Sequence, residues 1–258
     1  MNQSKIEQDT LKMSDILIPV WSHQHGAYIS LITGWLIGTL LSESVSLTHA
    51  FVIVFLLAGL NLGELVQEYL KKKFAISLRK KIWIILYGLL TTTAGFNLLN
   101  GTITFNFVFP VLIAIGFVYL YLSLRREHKH VYSELLAFAA ITLGGLIAFN
   151  PDRVPGMEFL RLWALLFAYF GTSVFLVKAR FDKVSSMGML LYYVFCLALT
   201  LWVVGFSSAL ICVLFLIGSK LLIPVFAGNW FKRLPISRIG FIECAYCIIL
   251  VTVLRIAH

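Results

Sequence analysis

The chain has 258 residues, 60% of them hydrophobic and only 13% charged, with a mean hydropathy of +0.90. An average soluble domain carries about 25% charged residues, so a deficit spread over the whole length excludes a soluble globular core and predicts a polytopic membrane protein. The formal net charge of +9 falls in short loops between apolar runs, which assigns it to membrane orientation and argues against a nucleic-acid partner.

In chain order, residues 1–20 read as a short polar cytoplasmic tail. They lack the basic start, apolar run and cleavage site of a secretory signal. Residues 21–258 then form a single transmembrane helical domain. Nine apolar segments are long enough to span, or nearly so: 26–42, 49–70, 82–99, 105–124, 131–149, 158–178, 187–204, 206–223 and 239–256. The seventh and eighth touch at 205–208, so an eight-span alternative stays open there.

Charge sets the orientation. With the N-terminus cytoplasmic, the cytoplasmic segments hold Lys5, Lys12, Lys71, Lys72, Lys73, Arg79, Lys80, Lys81, Arg125, Arg126, Lys129, Lys178, Arg180, Lys183, Lys220, Lys232, Arg233 and Arg238. Of 21 lysines and arginines, only Arg153, Arg161 and Arg255 remain for the other side. This is a positive-inside pattern for a multi-pass protein of the plasma (inner) membrane, and it favours an odd number of spans. The outer loops are short and rich in Ser, Thr, Asn and Pro, as turns between antiparallel helices are. The second and sixth spans both end in charged runs four spans apart, a weak hint of two parallel halves. The four cysteines all fall in apolar runs; Cys244 and Cys247 have C-x-x-C spacing but no second pair, so they read as small packing residues.

The polar residues in or beside the spans gather at one face. His23 and His25 precede the first span. Asn61, Glu64 and Glu68 end the second, spaced i, i+3, i+7 and so on one helix face. Glu134 opens the fifth. Lys178, Arg180 and Asp182 end the sixth, Lys220 the eighth, and Glu243 lies one turn into the ninth. Carboxylates at a membrane helix end are costly unless they face protein, water or a ligand. Acids together with cations suit a phosphate-bearing lipid headgroup: carboxylates hold Mg²⁺, while Lys and Arg neutralise phosphate. The same groups suit proton transfer. Each also has a structural reading as an ion pair or a solvated anchor, with Glu64 and Glu68 pairing to nearby lysines. No Walker loop, G-x-S-x-G or H-E-x-x-H motif is present.

Several short motifs carry a resemblance: His25-Gly-Ala-Tyr28, Ser133-Glu-Leu-Leu136, Gly171-Thr172 through Lys178, and Arg238-Ile-Gly-Phe-Ile-Glu243-Cys-Ala-Tyr246. Through them the chain resembles the YwiC-like family of bacterial membrane proteins, a resemblance that implies no particular activity. The overall plan is also similar to the UbiA superfamily of intramembrane prenyltransferases. There, nine helices carry acidic motifs at the cytoplasmic ends of the second and sixth. The N-D-x-x-D-x-x-x-D motif of that superfamily reads here Leu60-Asn61-x-x-Glu64-x-x-x-Glu68, and the second motif reads Lys178-x-x-x-Asp182, with a cation in place of one carboxylate.

The resemblance implies an all-α, UbiA-like bundle that binds an isoprenoid diphosphate or a quinone-like lipid from the cytoplasmic side. In an enzyme of that type, a prenyltransferase, Glu64, Glu68 and Asp182 are the catalytic carboxylates, Glu64 and Glu68 hold Mg²⁺, and Lys178 and Arg180 meet diphosphate. His23, His25, Asn61, Glu134 and Glu243 complete the substrate surface. Two other readings stay open: a proton-coupled or cation transporter using Glu243, Glu134 and His25, and a non-enzymatic accessory subunit of a membrane complex.

Overall fold

The computed structural model describes residues 18–21, 25–125, 130–181, 184–204, 208–226 and 228–257, and every regular element among them is helical. The helices are α1 (His25–Leu41), α2 (Leu47–Lys71), α3 (Leu78–Gly101), α4 (Ile103–Leu124), α5 (Val131–Gly145), α6 (Met157–Arg180), α7 (Ser186–Val204), α8 (Ser208–Phe226), α9 (Gly228–Arg233) and α10 (Ile236–Ala257). A 3₁₀ turn, Leu146–Ala148, prolongs α5. Within the described residues, each of the nine apolar segments is therefore helical. The seventh and eighth are separate, with the junction at 205–207 outside the described residues. The short α9 is an addition, since six residues are too few for a periodic apolar pattern to show.

Among the described residues, six helices are long and apolar enough to cross a membrane: α2, α3, α4, α5 with its 3₁₀ turn, α6 and α10. The helices α1, α7 and α8 are apolar over shorter stretches. The molecule is a multi-pass helical membrane bundle. Local signals fix the ends. Ser46 and His49 form a capping box at the start of α2, and the Ser77 hydroxyl accepts from Lys80 N at the start of α3. Lys73 and Phe74 take φ of 49° and 71°, the left-handed turn that stops α2.

In a bilayer, apolar burial gives helices little reason to associate, so close packing and hydrogen bonds do the work. Helix α1 shows this. Gly34 and Gly38, four apart, lie against Gly145 of α5; a Cβ on Gly145 would come within 2.9 Å of Gly34 C and Trp35 N. Here the two backbones touch. On its other flank α1 is tied to α2 by Trp35 Nε1 donating to the His49 carbonyl at 2.9 Å, and by the Tyr28 hydroxyl donating to Asn61 Oδ1 at 2.6 Å. The helices α1, α5, α6, α8 and α10 pack in sequence around a closed ring, with α6 the most enclosed of the crossing helices. The pair α2 and α3 packs outside α1, and α7 lies against α6 and α8.

Candidate functional site

The described polar residues of the expected constellation lie in two groups on either side of α1. The first group is on α2 and α3. Asn61 is buried, accepting from Tyr28 and donating Nδ2 to the Leu57 carbonyl at 2.7 Å. Glu64 is half-buried one turn before Glu68. Both Glu68 oxygens take the Lys80 ammonium at 2.6 Å, and Oε1 also takes Lys72 at 2.8 Å. Glu68 is thus neutralised by two ammonium groups, and a divalent ion there would have to displace Lys80. Among the described residues no three of His, Cys, Asp and Glu come together as a metal set. The Mg²⁺ implied by the prenyltransferase resemblance accordingly finds no described donor set that fits it.

The second group surrounds a cavity of about 520 Å³ between α1, α5, α6 and α10. Its wall is mainly apolar, from Ile29, Phe138, Phe170, Val174 and Phe241, with Gly26 and Gly240 leaving room. Polar groups enter it at Ser30, Glu134, Ser173 and Glu243. Glu134 pairs with Lys178 of α6 at 2.9 Å; Lys178 is buried while the Glu134 side chain keeps 33% exposure. Deeper, Glu243 Oε2 accepts from Lys220 Nζ of α8 at 2.6 Å and from the Ser173 hydroxyl at 3.0 Å. Lys220 Nζ also lies 3.8 Å from the centre of the Tyr169 ring and 5.5 Å from that of Tyr246.

The second oxygen, Glu243 Oε1, is buried without a hydrogen-bond partner. A buried carboxylate oxygen left bare is costly. Here it belongs to a residue on the wall of an apolar cavity, where a ligand can supply the missing donor.

The constellation expected at one face is therefore divided. Glu134, Lys178 and Glu243 meet at or beside the cavity. Asn61, Glu64 and Glu68 do not line it. Arg180 stands on the opposite side of α6 from Lys178, because two residues turn a helix by about 200°. His23 and Asp182 lie outside the described residues, as does the side chain of His25. The sequence places Lys220 at the end of the eighth span among the polar residues of that face without pairing it to Glu243, and it does not single out Ser173, Tyr169 or Tyr246. The available signal was a lysine inside the apolar run Leu214-Phe-Leu-Ile-Gly-Ser-Lys220-Leu-Leu-Ile223. All four cysteines are unpaired, and Cys244 also lines the cavity.

Residues 21–149, half of the chain, match the family described as YwiC-like protein. The match spans α1 through the 3₁₀ turn, so it includes the Gly34–Gly145 contact, the Tyr28–Asn61 bond and Glu134, and stops before Lys178, Lys220 and Glu243. No curated protein and no solved structure matches the chain. A helical membrane bundle whose first half carries this match is a member of the YwiC-like family.

Proposed function

We propose that this protein lies in the plasma membrane with its N-terminus cytoplasmic, and binds an amphipathic lipid with a neutral, hydroxyl-bearing headgroup of the quinol class. The headgroup occupies the cavity between α1, α5, α6 and α10. Basic residues concentrated at the cavity end of the bundle support the orientation. Nine apolar helices among the described residues are also consistent with a UbiA-like plan.

The observation that carries the reading is that Glu243, a residue of the mainly apolar cavity wall, has an oxygen, Oε1, without a hydrogen-bond partner. A quinol hydroxyl donates to it, and the ring and tail lie along Phe138, Phe170, Val174 and Phe241. A diphosphate suits the cavity less well. It would face two carboxylates, Glu134 and Glu243, while Lys178 and Lys220 are already paired to them. The reading is one of binding, and no transfer step is derived.

Equilibrium dialysis of the purified protein against a benzoquinol with a decyl chain tests it. Saturable binding is expected, weakened about tenfold or more in Glu243→Gln, as for a lost charge-assisted hydrogen bond. Val174→Trp, which fills the cavity without touching a charge, is expected to abolish it. Tighter binding of farnesyl diphosphate would restore the prenyltransferase reading. Tighter binding of dodecylammonium would favour a cation carrier.

A further inference from the structure

We infer that the outer side of the α6 terminus, with α9, forms a separate site for the phosphate of an anionic phospholipid. The site is distinct from the cavity and does not depend on what the cavity binds.

The geometry begins with helix periodicity. Lys178 faces α5, where it meets Glu134. Leu176 and Arg180, four residues apart, share another face of α6. Leu176 is buried against Phe231, Leu234 and Ile239, so this is the face that receives α9 and the start of α10. Arg180 continues that face by one turn, towards the end of the bundle. Its guanidinium carbon lies 5.5 Å from the centre of the Phe181 ring. Its Nη1 is buried and has no hydrogen-bond partner. A basic residue near a membrane surface is ordinary. A guanidinium N–H that is buried with no acceptor is not, and it calls for an oxygen from outside the chain.

The surroundings match a lipid and not a free ion. The six-residue α9 buries Phe231 and leaves Trp230 58% exposed, with Phe226 just before it 83% exposed. Phe181 is exposed as well. Exposed aromatic rings beside basic residues are the composition of the headgroup layer, where the ring is apolar and the cation meets phosphate. Lys232 and Arg233 on α9 and Arg238 on α10 are exposed at the same end. Together with Arg180 they concentrate positive charge at this end of the bundle. Basic pockets of this kind beside membrane helices recognise anionic headgroups. Arg180 supplies a guanidinium N–H for a phosphate oxygen, the exposed cations supply the field, and Trp230 with Phe226 meets the glycerol and upper acyl region.

Native mass spectrometry of the detergent-purified protein, offered equal phosphatidylglycerol and phosphatidylcholine, reads the site. The wild type is expected to retain phosphatidylglycerol in preference, and Arg180→Gln to lower that preference roughly fivefold, the worth of one basic residue at an anionic surface. The double variant Lys232→Gln/Arg233→Gln changes only exposed side chains and is expected to lower it in the same direction, so the test survives if Arg180→Gln fails to fold. Arg255→Gln, at the other end of α10, is the control and is expected to leave the preference unchanged. Equal retention of the two lipids by the wild type overturns the inference, as does a preference undiminished in both variants. Displacement of phosphatidylglycerol by millimolar inorganic phosphate also overturns it, by assigning the site to a soluble anion.

Discussion

Lys220 of α8 and Glu243 of α10 form an ion pair of 2.6 Å whose lysine has no exposure at all. A pair taken out of water recovers its desolvation cost only through close geometry and added hydrogen bonds. Ser173 and the Tyr169 ring provide these on the lysine side, but Oε1 of Glu243 is left bare. The pair is therefore incomplete at one atom of a residue that lines the cavity.

Removing one partner strands the other. Lys220→Met alone and Glu243→Gln alone are each expected to destabilise the bundle by about 3 to 5 kcal/mol. Replacing both, as Lys220→Met/Glu243→Met, is expected to restore most of that loss, because an apolar pair of similar size needs no compensation. Unfolding titrations in mixed micelles measure all three. A double variant as unstable as the sum of the singles would contradict the pairing.

The acids of α2 behave differently. Glu68 keeps 25% side-chain exposure and its lysines are more exposed still. Glu68→Gln is expected to cost less than about 1 kcal/mol and to leave quinol binding unchanged in the dialysis assay. A binding loss comparable to that of Glu243→Gln would move the site to α2.

Two glycines predict opposite outcomes. Gly145→Ala puts a methyl into the Gly34 and Trp35 backbone and must push α1 off α5; about 1 to 3 kcal/mol is the expected cost, as for overpacked cores. Because α1 lines the cavity, binding should weaken too. Gly63 in α2 has open space around its missing Cβ. Gly63→Ala is expected to stabilise by up to about 1 kcal/mol through helix propensity alone. The two melting midpoints, measured side by side, should move in opposite directions.

Orientation is open to direct labelling. Ala75 lies in the exposed turn between α2 and α3, and Val154 in the exposed loop before α6. In intact cells a membrane-impermeant maleimide is expected to reach the thiol of Val154→Cys and not that of Ala75→Cys. Lysis is expected to make both reactive. The reverse order would invert the topology.

Much of the fold was legible because nine long apolar runs and the placement of Lys and Arg are local properties of the chain. Glycine contacts such as Gly34 against Gly145 were not, since nothing local says which helices touch. The site was legible only in part, for the same reason. Spacing alone puts Asn61, Glu64 and Glu68 on one face of α2, yet that face is occupied by Tyr28 and Lys80. The cavity is assembled from residues far apart in sequence: Ser173 meets Glu243 across 70 positions and Glu134 meets Lys178 across 44. Lys220 was readable as a cation in an apolar run, but its partner was not.

The measurement that bears most directly on the account is the lipid that copurifies with the protein. Wild type and Lys220→Met/Glu243→Met, purified in parallel in mild detergent, would be extracted with organic solvent and analysed by chromatography and mass spectrometry. Enrichment of a quinone or quinol in the wild type, absent from the folded double variant, is the predicted result. Equal amounts in both, or an isoprenoid diphosphate in place of the quinol, would contradict a hydroxyl-bearing headgroup held by Glu243.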